Sequence, residues 1–340
     1  MRVLVLSIWK PASGGVVTHV EGYTSCSEHT YRVVGYPARL PPLLRAGSYL
    51  AYAPLRGLVL SRSGRFDLVH AHYAFPQGAA GVVVKRALGV PLVVSLHGSD
   101  VEVLCARAAM RRVLRLLLSR ADAVTAVSAY LAERVERLLG VECRVVYGGV
   151  RCPERVPPLE ERRRRVVFVG RVARSKGADV ALEAFGMLAD RFEGLELVFA
   201  GSGGYEGELR RRCRRLGIQG RVRFEGVVSR ERLEELYSTS VALLMPSRRE
   251  GFGLAALEAM AHGTPPVVSS AGGLPEVVEH GRSGLVVEPE PGEVAEALEE
   301  LLTSPEAWRR LSEGGRRRAA GFSWERTARE YHRIYREVVG

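Results

Sequence analysis

Two short segments hold the residues best suited to chemistry. In Gly170-Arg171-Val172-Ala173-Arg174-Ser175-Lys176-Gly177, cations and flexible backbone follow an apolar run, a composition that suits a diphosphate. Lysine otherwise occurs only at positions 10 and 85, so a compact ammonium is wanted at Lys176 where arginine would be the chain's habit. Taken alone, the same residues also describe a solvated surface loop.

A second apolar run ends at Pro246 and leads into Ser247-Arg248-Arg249-Glu250-Gly251-Phe252-Gly253-Leu254, then Ala255-Ala256-Leu257-Glu258-Ala259-Met260. Glycines at a helix start expose backbone N–H groups, and the helix dipole adds positive potential there, so phosphate is attracted. Glu258 follows Gly253 by about 7.5 Å along a helix rising 1.5 Å per residue. That span is comparable with the distance from a nucleotide's phosphates to its ribose hydroxyls. Glu258 can therefore accept from a ribose while Glu250, ahead of the helix, faces a sugar. The bland alternative is that Glu250 only complements the helix dipole. Apolar neighbours on both sides of Glu258 argue against a solvated position for it.

The amino-terminal half offers weaker signals. Gly14-Gly15-Val16 follows the first strand pattern and reads either as an anion-binding helix start or as a simple turn. His97, in Ser95-Leu96-His97-Gly98-Ser99-Asp100, ends the central apolar strand, where it is a site residue or a structural histidine; Ser99 or Asp100 can cap the next helix. His70 and His72 also end a strand, but no carboxylate or thiolate stands at ligand spacing, so they read as packing or acceptor-side residues and no metal site is expected.

These residues need a scaffold that brings strand ends together. Strand patterns fall at 2–7, 31–35, 67–71, 91–96, 123–127 and 144–147, with helical patterns such as 101–119 and 129–139 between them. After a Pro-rich, charged stretch near 151–165, expected as a linker, a second series follows. Its strands lie at 166–170, 195–201, 222–226, 241–246 and 266–269, and its helices begin near Ala178, Tyr205, Ser229 and Gly253. Alternating strand and helix implies parallel sheets covered on both faces, hence α/β with two doubly wound, Rossmann-like domains. Ligands of such sheets bind beyond the carboxyl ends of the strands, where both segments above fall. The tail from Ser323 to Val339 reads as an amphipathic helix, expected to pack across the domain junction.

Composition narrows the function without choosing it. The 340 residues, 46% hydrophobic, suffice for two cores. No apolar run reaches the roughly 20 residues needed to span a bilayer, and no leader pattern precedes the first strand, so a cytoplasmic protein is expected. Five cysteines without C-x-x-C spacing indicate neither zinc nor disulfides. A net charge of +11 suits nucleic acid, an anionic membrane surface or a phosphorylated substrate. The absence of Asn, with few Gln, hints at a thermophile, as a GC-rich genome also would explain the arginines. The 101–119 helix, with Arg107, Arg111, Arg112 and Arg115, either touches an anionic membrane or simply covers the sheet.

Together the segments resemble, over essentially the whole chain, the large retaining glycosyltransferase family of GT-B architecture, which includes sucrose synthases and bacterial mannosyltransferases. Glu250 to Glu258 matches its E-x7-E element, Gly170 to Gly177 its phosphate element, and Gly14-Gly15-Val16 and His97 to Asp100 its amino-domain elements. The resemblance implies two domains facing across a cleft and a nucleotide-sugar donor whose diphosphate Arg171 and Lys176 hold without a metal or other cofactor. It also implies ribose on Glu258, the hexose on Glu250 and the Gly251-Phe252-Gly253-Leu254 backbone, and His97 near the hexose C6 hydroxyl. A glycan, lipid-linked or small-molecule acceptor would receive the sugar. Tyr147-Gly148-Gly149-Val150 departs from the Asn-Gly common in relatives. Two other readings compete: a sugar-nucleotide epimerase of the same fold, and a basic nucleic-acid-binding protein, the latter disfavoured because the arginines are scattered and no aromatic-rich basic platform is present.

Overall fold

The computed structural model describes residues 1–8, 14–35 and 42–340. It divides into two compact units, residues 1–149 with 324–340 and residues 150–323.

In the first unit, β1 (Arg2–Leu6), β2 (Thr30–Val34), β3 (Leu68–His72), β4 (Leu92–Leu96), β5 (Ala123–Ala126) and β6 (Arg144–Val145) form one sheet in the order β2-β1-β3-β4-β5-β6. Every pairing is parallel. The apolar runs are continuous rather than alternating because both faces are covered; all of Leu92–Leu96 is buried. Order reverses at β1, whose neighbours are β2 and β3, and such a switch point opens a crevice at the strand ends. The Gly15–Ser25 helix follows β1.

The Trp324–Val339 helix also belongs to this unit. It buries Trp324, Thr327, Ala328, Tyr331, Ile334 and Tyr335, the stripe expected of its sequence. Its close approach to the Gly15–Ser25 helix depends on Gly22, where a Cβ would lie 2.2 Å from the Trp324 ring.

In the second unit, β7 (Arg165–Val169), β8 (Glu196–Ala200), β9 (Val222–Gly226), β10 (Ala242–Met245), β11 (Pro266–Ser269) and β12 (Leu285–Val287) form a parallel sheet in the order β12-β11-β10-β7-β8-β9. The switch point lies between β7 and β10, which pair Ala242 with Val166 and Leu243 with Val167. The two segments richest in chemical side chains leave the carboxyl ends of these two neighbouring strands.

Three expectations differ from the structure. The helical pattern at 101–119 is two helices, Ser99–Leu104 and Ala108–Leu118, with extended backbone at Arg107. Asp100 fixes the first by binding backbone N–H groups, whereas the second is oriented by burial of Leu114, Leu117 and Leu118. The Pro-rich stretch is no bare connector either: Arg162 is buried and donates to the carbonyls of Pro157, Tyr237, Ser240 and His262 and to Thr264 Oγ1. β12 and the helices Pro291–Thr303 and Pro305–Ala320 complete the unit beyond the elements read from the sequence.

Among the described residues, no helix is long and apolar enough to cross a membrane.

Candidate active site

β7 ends at Val169, and a tight 3-10 turn at Arg174–Lys176 leads through Gly177 into the Ala178–Ala189 helix. Gly177 has φ +69°, and a Cβ there would stand 1.8 Å from the carbonyl oxygen of Pro246. Only glycine combines that backbone conformation with so close an approach, so the turn after β7 rests directly on the end of β10. Ser175 O then accepts from the N–H groups of Arg248 at 3.0 Å and Arg249 at 3.2 Å. Arg248 Nη1 donates to Arg174 O at 2.8 Å and to Asp179 Oδ1 at 2.7 Å, and Asp179 is 4% exposed. A buried carboxylate is stable only when paired, so Asp179 and Arg248 work as a clamp across the two loops.

The clamp brings Lys176 and Glu250 together. Lys176 Nζ lies 2.8 Å from Glu250 Oε2 and 3.4 Å from Arg249 O, and Glu250 Oε1 accepts from the Gly251 N–H at 3.1 Å. Gly273 N–H donates to Glu250 O at 3.2 Å, tying the turn after β11 to the same point. Arg171 is exposed at the mouth of its loop and has no hydrogen-bond or ion-pair partner among the described residues. Phe252 is buried, Gly253 caps the helix Leu254–Ala261, and the N–H groups of its first turn have no intrahelical acceptor. Lys176 and the Gly251 amide thus hold the Glu250 carboxylate at the switch point.

Glu258 is 6% exposed, with Oε1 2.5 Å from Arg230 Nη1 and Oε2 3.0 Å from the Tyr237 hydroxyl. Both oxygens accept from the protein, which leaves only their second lone pairs for any other donor. Burial and the neighbouring Glu258 charge raise the Tyr237 phenol well above its ordinary value, so it acts as a donor. Arg230 and Tyr237 went unread in the sequence: both lie on the Arg230–Thr239 helix, more than 20 positions from Glu258, with no local pattern to mark them.

In the first unit, Gly14 has φ +124° and caps the Gly15–Ser25 helix, with Val16 in its first turn. His97 leaves β4 into the Ser99–Leu104 helix, half-buried. Asp100 holds this corner: Oδ1 accepts from the N–H groups of His97, Gly98 and Val101 and Oδ2 from that of Ala74. Burial raises its pKa to about 6 against the opposing pull of those donors. Behind His97, the rings of His19, His70, His72, Tyr23, Tyr331 and Tyr335 form a buried polar cluster. His70 and His72 lie inside it, hydrogen-bonded to the Tyr335 and Tyr23 hydroxyls respectively. No group of three or more His, Cys, Asp or Glu side chains among the described residues is placed to hold a metal ion. The cysteines are free thiols.

Two doubly wound parallel sheets, the second with Lys176, Glu250 and the opening amides of the Leu254–Ala261 helix at its switch point, define a two-domain α/β fold of the GT-B kind. Comparison with known proteins agrees. Residues 154–318 match the family described as glycosyl transferases group 1, and residues 12–154 match glycosyltransferase family 4. An uncharacterized glycosyltransferase of Methanocaldococcus jannaschii is 30% identical over 99% of this chain and 99% of its own length. Among solved structures, sucrose-phosphate synthase from Thermosynechococcus elongatus superposes with a TM-score of 0.85 at 22% identity, covering 99% of this chain and 98% of that one. The HepE protein of Anabaena in complex with UDP-glucose does so with a TM-score of 0.82 at 18% identity, covering 99% and 100%. The chain belongs to the group 1 glycosyltransferases, and it is a glycosyltransferase by fold and family.

Proposed function

We propose that this enzyme moves a hexose, with retention of anomeric configuration, from a nucleoside diphosphate sugar to an acceptor hydroxyl, and that it needs no metal or other cofactor. The observation that carries this reading is the 2.8 Å pair of Lys176 and Glu250, held between two loops that the Asp179–Arg248 clamp and the Gly177–Pro246 contact lock together. Arg171 and Lys176 take the diphosphate, and the amide groups opening the Leu254–Ala261 helix add to the positive field. Glu250 orients Lys176 and, with the Gly251–Leu254 backbone, accepts the sugar hydroxyls. Glu258, set by Arg230 and Tyr237, takes the ribose. Gly14, Gly15 and Val16 approach the phosphate, and His97 meets the C6 hydroxyl of the hexose. The bound UDP-glucose of the Anabaena neighbour makes a UDP-sugar the first donor to test, with GDP-sugars next.

In the transfer, the C1–oxygen bond to the β-phosphate breaks and the acceptor oxygen bonds to C1 on the same face. The acceptor's proton passes to the departing phosphate oxygen, so products are a nucleoside diphosphate and a glycoside. Negative charge builds on the leaving group, and fixed cations stabilise it more in the transition state than in the ground state. A lipid-linked, saccharide or small-molecule acceptor fits this chemistry. A peripheral membrane contact is supported by Val113 and Leu116, which stand exposed beside Arg112 and Arg115.

The test is thermal stabilisation by a panel of nucleotide sugars, followed by NMR of the product's anomeric centre. Stabilisation by a UDP- or GDP-sugar and a retained anomer are expected. An inverted product, a covalent glycosyl adduct on Glu250, or an isomerised sugar released without acceptor would overturn the reading.

A further inference from the structure

The buried side chains behind His97 form one hydrogen-bonded chain whose protons can be counted. His97 Nε2 lies 2.9 Å from His72 Nδ1, and His72 Nε2 lies 3.1 Å from the Tyr23 hydroxyl. His70 Nδ1 lies 2.6 Å from the Tyr335 hydroxyl and 3.3 Å from that of Tyr23, while His70 Nε2 lies 2.7 Å from Ser95 Oγ. The imidazoles are uncharged near neutrality. Burial lowers His70 to about 3, and burial with neighbouring histidines holds His72 and His97 well below the ordinary value. Burial also raises the phenols of Tyr23 and Tyr335, so each keeps its proton.

A neutral imidazole has one N–H and one bare nitrogen with a single lone pair. Tyr335 makes the shortest contact in the chain and takes the lone pair of His70 Nδ1. The His70 proton then sits on Nε2 and is donated to Ser95. Tyr23 has one proton and two takers, the Tyr335 oxygen and His72 Nε2 at 3.1 Å; given to the imidazole, the stronger acceptor, it leaves His72 Nε2 without a proton of its own. His72 therefore carries its proton on Nδ1 and donates it to His97 Nε2. One position is left for the proton of His97, its Nδ1, which has no hydrogen-bond partner among the described residues.

We propose that Tyr23, acting through His72, fixes His97 in the Nδ1–H form, so that this imidazole meets the sugar as a hydrogen-bond donor to a hydroxyl oxygen and not as a base. Tyr23 and His72 are thus positioning residues. The sugar contact rests on the role given to His97 under Proposed function; the protonation pattern does not. A donor at this point suits a reaction whose acceptor proton leaves on phosphate, because a base there would compete for it. The Tyr335 contact adds a requirement: the Trp324–Val339 helix must be in place for Tyr23 to spend its proton on His72.

The experiment is a two-bond proton–nitrogen NMR correlation on protein labelled with nitrogen-15 histidine at neutral pH, with His97 assigned from the His97→Gln spectrum. Wild type is expected to show His97 with Nδ1 protonated and Nε2 bare, and Tyr23→Phe to average or reverse that pattern and lower kcat about tenfold, with donor KM changed less. A His97 proton on Nε2 in wild type overturns the proposal, as does an unchanged His97 pattern in Tyr23→Phe. The wild-type spectrum decides even where the variant fails to fold. Normal transfer by His97→Ala would remove His97 from the sugar site while leaving the relay to be judged by the spectrum, so the two failures are distinguishable.

Discussion

The two units place polar groups inside parallel sheets in opposite ways. The first keeps His19, His70, His72 and three tyrosines neutral and links them by hydrogen bonds. The second pairs groups of opposite charge, Lys176 with Glu250, Arg248 with Asp179 and Arg230 with Glu258. Neutral networks orient a proton, whereas paired charges hold a charge. The transfer proposed above calls on both, since in it a diphosphate leaves and sugar hydroxyls are recognised. The contrast is measurable because the two designs respond differently to acid and to truncation.

Acid should separate the units most strongly. His19 is held near 4 and His70 near 3 by burial, against an ordinary 6.5. In the unfolded chain these rings bind protons that the folded unit refuses, so their stabilisation is complete above about pH 6.5 and is lost as pH falls toward the folded values. At about 1.4 kcal/mol per unit of pKa difference, the two together remove on the order of 5 kcal/mol by about pH 4.5. Asp100 opposes this: raised to about 6, it stabilises the fold below its ordinary pKa and loses that contribution as pH rises through 6, returning about 2 kcal/mol on acidification. The expected net result is earlier loss of amide protection in β1, β3 and β4 than in β7 and β10, read by hydrogen exchange between pH 7 and 4.5. Opening of the second unit first would break the comparison.

Next in size, Lys176→Ala and Arg171→Ala are each expected to lower kcat/KM about 100- to 1000-fold, or about 3–4 kcal/mol, with circular dichroism unchanged. Near-normal turnover in both would remove the charged site from catalysis. Asp100→Ala leaves four backbone N–H groups without their carboxylate and should cost about 2–3 kcal/mol in urea unfolding. A change below about 0.5 kcal/mol would show the corner at His97 to be held by something else. The smallest effect is expected from Tyr237→Phe, about 1 kcal/mol of stability and a rise in donor KM, since Arg230 still pairs with Glu258. Unchanged KM would separate Glu258 from donor binding.

What could be read from the sequence was local. Gly170 to Gly177 and Glu250 to Glu258 are contiguous runs at strand ends, and the alternation of elements implies the parallel sheets on which such ends converge. What could not be read joins distant positions. His19 meets Tyr331 across 312 residues, and Arg248 meets Asp179 across 69, with no periodicity to announce either. The 101–119 pattern read as one helix because its residues favour helix throughout; the structure divides it at the extended Arg107, with the first piece held by Asp100 and the second by its buried leucines. β12 has three residues, too few for a pattern to register. Glu258 was legible as non-solvated from its apolar neighbours, but its two protein partners were not.

The Trp324–Val339 helix buries one face in the first unit although it follows residues 150–323 in the chain. During translation, residues 150–323 can reach their final packing as soon as they emerge, while the half made first must wait for residues 324–340 before Tyr331 and Tyr335 can fill their places. Maturation of the first unit therefore runs against the order of synthesis, and a nascent chain arrested before Trp324 would leave its amino-terminal unit unsealed.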